Sequence, residues 1–337
     1  MLTPHSMLVI LFKQTFHDKT KMIYRILIPL LIFLSCSVSS IEFQDPWRIL
    51  TNAHSAAKEL NYQGTYHFTD NKQSQSVEIT HALHGLDEYT RMILMDGSPG
   101  EMLSDGKNVI VYHSSDQNVH IKQKESHNLF PSVIPDNIEN LKSVYTLHFD
   151  KIDRVADRAA QIVALNPKDN YRHAYRFWID LKTSLLLKMI ISDESNEVVE
   201  QAAFTKLNLT ETQKDLSWYA PKIDFTKDYL NNENTIDLPV QKFWQFSSIP
   251  KGFKEISVKA SRNSGFDMLS HHLVFSDGLS YLSVFIQPVQ SGHKPKVGNI
   301  SMGRTNVCAR YYNGYQIMSV GAVPQKTCEL FTESISF

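Results

Sequence analysis

The chain has 337 residues, of which 42% are hydrophobic and 20% charged. That balance excludes both a many-span membrane protein and a disordered chain, and it suits one large or two medium domains. A net charge of −1 supplies no global basic field for nucleic acid or anionic lipid. Phe (18) and Tyr (14) are as plentiful as Gly (13) and Pro (13) are sparse, which favours twisted sheets around bulky cores.

The start of the chain reads as an address. In Met22–Ser40, Arg25 precedes an apolar run from Ile26 to Leu34, and Val38 and Ser40 fit the −3 and −1 positions of a signal-peptidase site. The run is shorter than the roughly 20 residues a spanning helix needs, though an uncut N-terminal anchor is the competing reading. Residues 1–21 look like an upstream extension, with Met22 as the expected start. Phe33-Leu34-Ser35-Cys36 fits a lipoprotein box poorly. Export after Ser40 would leave 30 basic and 34 acidic side chains, a net charge of −4, and the cysteines Cys308 and Cys328. An exported chain with an even pair of cysteines suggests a disulfide between them, with two free buried thiols as the alternative.

Asp45 and Pro46 predict a capped helix from Pro46 to about Leu60, with Trp47, Leu50, Ala53, Ala57 and Leu60 on one face. Alternation then predicts strands at Tyr62–Phe68, Val77–Leu83, Tyr89–Met95 and Val109–Tyr112, separated by Asp/Asn/Gly turns. This is the pattern of an antiparallel meander. Pro131 and Pro135 break the stretch 129–142, after which Asp136 onward allows a short helix. Strands resume at Tyr145–Asp153, Ala159–Leu165, His173–Asp180, Leu185–Ser192 and Val198–Leu209. A sheet this large should curl around the helix. The pattern fades between Glu211 and Val240. The expected organisation is a leader over 1–40, a large domain over 41–212, a linker over 213–240 and a small α+β domain over 241–337. In the last, strands are expected at Phe253–Ala260, Leu269–Ser276, Ser280–Pro288 and Gln316–Val323. Asp277-Gly278 should turn a hairpin, and a final helix should run from Pro324 to about Ile335.

Chemical motifs are missing. The sequence holds no HExxH, GxSxG, GxxxxGK[ST] or GxGxxG. His81/His84 and His271/His272 should point to opposite faces of their strands, so neither pair converges on a metal; both read as surface or edge histidines. Asp87-Glu88, Asp193-Glu194 and Glu197/Glu200 read as solvated charge at strand ends. No catalytic residue, metal or cofactor is therefore assigned.

A resemblance carries the rest. Phe243-Trp244 followed by Ile249-Pro250-Lys251-Gly252-Phe253, Phe275-Ser276-Asp277-Gly278-Leu279 with Ser283-Val284, Gly303-Arg304, and Val320-Gly321-Ala322-Val323-Pro324 occur in order. With Tyr62-Gln63-Gly64-Thr65, Met95-Asp96-Gly97 and Trp178-Ile179-Asp180 they resemble the RseB/MucB family over nearly all of residues 43–337. One departure is in Phe243-Trp244-Gln245-Phe246, where the Pro that the family has after Trp is absent. The resemblance implies an α+β, β-rich fold: a large half-open antiparallel β-barrel with helices, of the LolA/LolB type, plus the smaller C-terminal domain. It implies a periplasmic regulator that binds the periplasmic segment of an RseA/MucA-like membrane anti-sigma factor, blocks its proteolysis and restrains the envelope-stress sigma factor. Release would come from lipid-like signals such as lipopolysaccharide or lipoprotein acyl chains. Candidate groove residues are Phe130, Val133 and Ile134, in the Pro-broken apolar segment, with core packing as their alternative role. Met92, Leu94 and Met102 join them because soft Met side chains suit variable lipids. Partner contacts are not assigned, and a homo-oligomer stays open. The rival readings are a periplasmic lipid or lipoprotein carrier, which has no need of a second domain, and an enzyme, which lacks its motifs.

Overall fold

The computed structural model describes residues 45–70, 73–106, 108–115, 118–125, 129–210, 215–220, 229–230, 235–263, 269–290 and 292–337. The segment read as a leader, its expected cleavage site and Cys36 lie outside them, as does half of the stretch read as a linker. No described helix is long and apolar enough to cross a membrane.

Helix α1 spans Arg48–Glu59. It starts two residues later than expected, with Trp47 as its capping residue and no side-chain cap bond, so Pro46 lies in the preceding turn. Its buried side, Leu50, Ala53, His54, Ala56 and Ala57, follows the 3.6-residue period. Its small side chains let it lie close against a sheet.

That sheet holds β1 (Asn61–Asp70), β2 (Ser74–His84), β3 (Asp87–Leu94), β4 (Gly100–Ser104), β5 (Asn108–Ser115) and β6 (Asn118–Glu125). It continues, after the short helix α2 (Glu139–Val144), with β7 (Tyr145–Val155), β8 (Arg158–Pro167), β9 (Ala174–Asp180), β10 (Leu186–Ser192), β11 (Val198–Thr210) and the two-residue β12 (Tyr229–Leu230). The order is β12-β6-β5-β4-β3-β2-β1-β11-β10-β9-β8-β7. Apart from β12, which runs parallel to β6, all pairs are antiparallel. Two meanders are thus joined where β1 meets β11, from Asn61↔Thr210 to Asp70↔Glu200, with a register irregularity at Thr65/Tyr66. The two ends of this order do not pair, so the sheet is open. One core fills its inner face, where α1, α2 and strands from both meanders contribute side chains such as Leu50, Leu141, Ile79, Phe177 and Phe204.

The second sheet runs β13 (Thr235–Leu238), β15 (Lys254–Asn263), β16 (Leu269–Ser276), β17 (Tyr281–Pro288), β20 (Tyr315–Gly321), β19 (Thr305–Tyr312) and β18 (Gly298–Met302). Strand β13 falls inside the stretch read as a connection. Helix α3 (Gln325–Glu333) packs Phe331 and Cys328 onto this sheet with Phe275, Leu282 and Ile317. The small pair β14 (Gln245–Phe246) and β21 (Ile335–Ser336) closes the end of the chain.

Buried charge joins the two sheets. The Arg172 side chain, with no exposed surface, donates to Asp277 Oδ2 at 2.8 Å, to Asp169 Oδ1 and Oδ2 at 3.0 Å, and to the Lys251 carbonyl at 2.6 Å. Its guanidinium also lies over the Tyr145 and Phe253 rings. Asp277, read as a turn residue, does turn the β16–β17 hairpin, accepting from the Leu279 and Ser280 amides. The same carboxylate receives Arg172. From α2, Asn140 Nδ2 donates to the Gly252 and Asp277 carbonyls at 2.8 and 2.7 Å. A second junction sits at the β18–β19 turn, where Arg304 meets Glu200 of β11 at 2.6 Å.

Candidate functional site

The inner face of β2–β5 carries a cleft whose chemistry changes along the strands. Register sets this out in rows. Tyr62, His81, Thr90 and Ser104 stand opposite one another across β1–β4. Two residues further along each strand, on the same face, come Ile79, Met92 and Met102, and beyond them Val77 and Leu94. The first row is polar and the next two are apolar.

The apolar part is a cavity of about 220 Å³ walled by Tyr66, Val77, Met92, Leu94, Met102 and Val111, with Leu129 at its mouth. The polar part is a smaller hollow of about 70 Å³ that shares Met92, Met102 and Leu129 and is otherwise bounded by groups such as Lys58, His81, Glu88, Thr90 and Ser104. The segment 129–134 bounds both. It is tied to α1 by a 2.7 Å hydrogen bond between His54 Nδ1 and the Ile134 carbonyl.

The structure divides the candidate groove residues. Met92, Leu94 and Met102 come together in the apolar wall. Phe130 and Ile134 are 5% and 1% exposed and belong to the main core, with Val133 packed against it. Phe130 reaches the cleft only through Tyr66, whose ring it meets edge-on at 5.0 Å. Cys308 and Cys328 are both buried free thiols. Their mutual hydrogen bond pushes Cys308 up and draws Cys328 down.

Several polar residues depart from the sequence reading. His81 and His271 are each 2% exposed and not surface groups. His81 shares the inward parity of Val77 and Ile79, stacks on Tyr62 at 4.7 Å, and places Nδ1 2.8 Å from the Leu60 carbonyl. Burial drops its pKa to about 4. His271 packs against Phe243 and Trp244. Glu200 is buried, where it meets Arg304, and burial raises its carboxyl. Glu88 is half-buried and also raised by burial. The strand ends holding these residues are covered by other parts of the chain, so exposure could not be read from their position in the sequence. Arg172, Asn140 and His173 carry no sequence signal at all; long-range packing alone brings them to the junction.

On the opposite face of β3 and β4, Arg91 pairs with buried Glu101 at 2.5 Å and donates to the Trp218 carbonyl. Tyr219 packs there with Leu103, Ile110 and Tyr112. The cleft wall is therefore braced from behind.

An open antiparallel sheet with a graded cleft, locked through buried ion pairs to a smaller sheet and its terminal helix, defines a β-rich protein with two sheet bodies. The MucB/RseB N-terminal domain matches residues 45–227 and the MucB/RseB C-terminal domain matches residues 239–336. The chain belongs to the MucB/RseB family. The Sigma-E factor regulatory protein RseB of Haemophilus influenzae is 23% identical, with 91% of this chain and 96% of that protein covered. The Sigma factor AlgU regulatory protein MucB of Pseudomonas aeruginosa is 26% identical over 83% and 87%. Among solved structures, MucB in complex with MucA(peri) superposes with a TM-score of 0.69 at 22% identity, over 87% of this chain and 98% of that one. The MucA/MucB complex of P. aeruginosa gives 0.68 at 24% identity, over 86% and 97%. These likenesses show a shared fold over 86–87% of this chain.

Proposed function

We propose that this protein is a periplasmic regulator, not an enzyme, that binds the extracytoplasmic segment of a membrane anti-sigma factor. Holding that segment would shield it from proteolysis and restrain the sigma factor behind it. The observation that carries the reading is the match to both family domains, in order and over nearly all of the described chain. The name of one structural relative, MucB in complex with MucA(peri), supports the choice of partner.

The cleft supports a release signal. An acyl chain in the Met92/Met102 cavity would loosen the partner only by binding the free form more tightly than the complexed form, since a ligand shifts an equilibrium by its differential affinity alone. The route to the second sheet is short. The 129–134 segment that bounds the cleft leads into α2, whose Asn140 holds the Gly252 and Asp277 carbonyls.

The test is calorimetric titration of the exported protein with the periplasmic segment of its own organism's anti-sigma factor, alone and with lipopolysaccharide fragments. Saturable binding that the lipid weakens is the expected result. Failure to bind the segment while lipid still binds would overturn the regulator in favour of a carrier.

A further inference from the structure

We propose that the second sheet, through β18 and the loop before it, docks the protein on an anionic phospholipid membrane surface. The inference does not depend on the cleft and goes beyond the regulator reading: it says where the protein stands while it acts.

Charge is the first observation. From Gly278 to Cys328 the chain holds no Asp or Glu, yet it holds Lys294, Lys296, Arg304, Arg310 and Lys326. The stretch carries a net charge of +5, whereas the rest of residues 41–337 sums to −9. A weakly charged whole therefore contains one basic surface. Two of the five cations are engaged inside the fold. Arg304 pairs with Glu200, and Arg310 donates to the Glu333 and Ile335 carbonyls. Lys294 and Lys296 are exposed and meet no acidic group among the described residues.

Exposed apolar side chains lie beside these lysines. Helix α3 covers the face of the second sheet that carries Leu273, Val284, Ile317 and Cys308. Register sets Val274, Ser283, Val320, Val307 and Ile300 in a row on the other face, and none of the five is buried. The row ends at the edge strand β18, where Ile300 and Met302 share one parity and are 63% and 53% exposed. Val297, just before the strand, is 71% exposed. The loop sits on this same side. Gln316 precedes the core residue Ile317 in β20 and so faces away from α3; its side chain accepts from the Lys296 amide at 2.6 Å and donates to the Lys296 carbonyl at 2.7 Å. Tyr311, opposite Gln316 in the ladder, adds a half-exposed ring.

This combination favours a bilayer over a protein segment. The apolar groups project from an edge strand and a loop, with most of their surface in water, so they offer tips rather than a socket. A fluid interface needs no matching shape. Apolar tips enter the boundary between head groups and acyl chains, while lysine ammonium groups meet lipid phosphates and lay their stems along the apolar layer. A regulator held in this way stands where a membrane anti-sigma factor presents its segment.

The test is cosedimentation of the exported protein with sucrose-loaded vesicles, either phosphatidylglycerol and phosphatidylcholine in equal parts or phosphatidylcholine alone. Binding to the anionic vesicles that weakens as salt rises, with little binding to the zwitterionic ones, is the expected result. Lys294→Glu/Lys296→Glu should weaken it at least about twentyfold, since each lysine near such a surface contributes about fivefold. Ile300→Ser/Met302→Ser, which leaves charge unchanged, should weaken it about tenfold. Lys182→Glu/Lys206→Glu makes an equal charge change at exposed positions of the first sheet and should bind as the parent does. No binding to anionic vesicles, binding that both second-sheet variants retain, or an equal loss in the first-sheet variant would overturn the docking surface. The regulator reading is decided separately, by the titration with the anti-sigma segment.

Discussion

Arg172 and Asp277 are charged residues without exposed side-chain surface, and each is held in place by the other. Burial raises the Asp277 carboxyl, against the pull of the Ser280 amide and Arg172. Removing one partner of such a pair strands a charge at a cost of about 3–5 kcal/mol, whereas replacing both with apolar groups of similar volume is often neutral. Arg172→Met should therefore lower stability by about 3–5 kcal/mol in urea unfolding, and Arg172→Met/Asp277→Asn, which removes both charges but keeps an oxygen for the Leu279 and Ser280 amides, should recover most of it. A double variant as unstable as the single one would show that the remaining partners of Arg172, Asp169 and the Lys251 carbonyl, matter more than the ion pair.

The buried histidines set a pH dependence. Burial lowers both His173 and His81 from 6.5 to about 4. Between those values the unfolded chain takes up protons that the folded chain refuses. Stability contributed by neutral burial is thus present above pH 6.5 and is lost as pH falls toward 4, by up to about 3 kcal/mol per histidine. The raised carboxyls of Glu200 and Asp277 act in the opposite sense, because the folded chain keeps their protons to higher pH. Comparing one variant with the parent isolates the histidine share. His173→Gln should reduce the loss of stability between pH 7 and pH 4.5, measured by urea titration at each pH. An unchanged slope would mean that His173 does not stay neutral in the fold.

Among the elements, α3 and β19 are where covalent chemistry would act. The Cys308 and Cys328 thiols share a hydrogen bond inside the second core, and an oxidising compartment would favour their bridge. Closing that loop is worth about 3 kcal/mol in the chain-entropy model. Where the bridge forms, reduction should lower the thermal midpoint, and alkylation under denaturing, non-reducing conditions should leave Cys308 and Cys328 unmodified. Two titratable thiols would sink the bridge. Close strand packing makes another demand at Gly321 in β20. A Cβ there would lie 2.6 Å from the Tyr281 carbonyl and 2.9 Å from Leu282 Cα, backbone that cannot swing aside. Gly321→Ala should push β20 off β17 and cost about 1–3 kcal/mol, read by the same urea assay.

How far the elements could be read from sequence follows from what covers them. β1 and β10 bury alternate residues, so their pattern was legible, whereas β2 and β9 each bury four residues in a row. In β4, buried residues flank the half-buried Met102 on both sides, and the alternation disappears. β18 has all five residues exposed and exists through its ladder to β19 alone. The cleft was half legible for a related reason. Met92, Leu94 and Met102 announce an adaptable apolar wall. The polar row depends on three strands coming into register, which no single stretch of sequence contains. Phe130 and Ile134 looked like groove residues because Pro131 and Pro135 interrupt their pattern, yet the interrupted segment folds back into the core.

At the scale of the whole molecule, two separate ion pairs fix the second sheet against the first: Arg172–Asp277 near α2, and Arg304–Glu200 at the β18–β19 turn. The second is the more accessible, with Arg304 31% exposed and Glu200 6%. A double-mutant cycle with Arg304→Ala and Glu200→Gln should give a coupling of about 1–2 kcal/mol. A coupling near zero would mean that the turn rests on the sheet without being held by charge.

The seam between β1 and β11 has a consequence in time. Each meander can form from neighbours in sequence, but the hydrogen bonds from Asn61↔Thr210 to Asp70↔Glu200 join the earliest strand to the last of the eleven consecutive ones. A chain delivered N-terminus first must keep one edge of β1 waiting until the far strand emerges. Pairings of such long range slow folding and leave an open edge on which other chains can add. Newly delivered protein should therefore pass through a period in which two half-sheets exist without their shared centre, and a chaperone that shelters β1 would act in that interval.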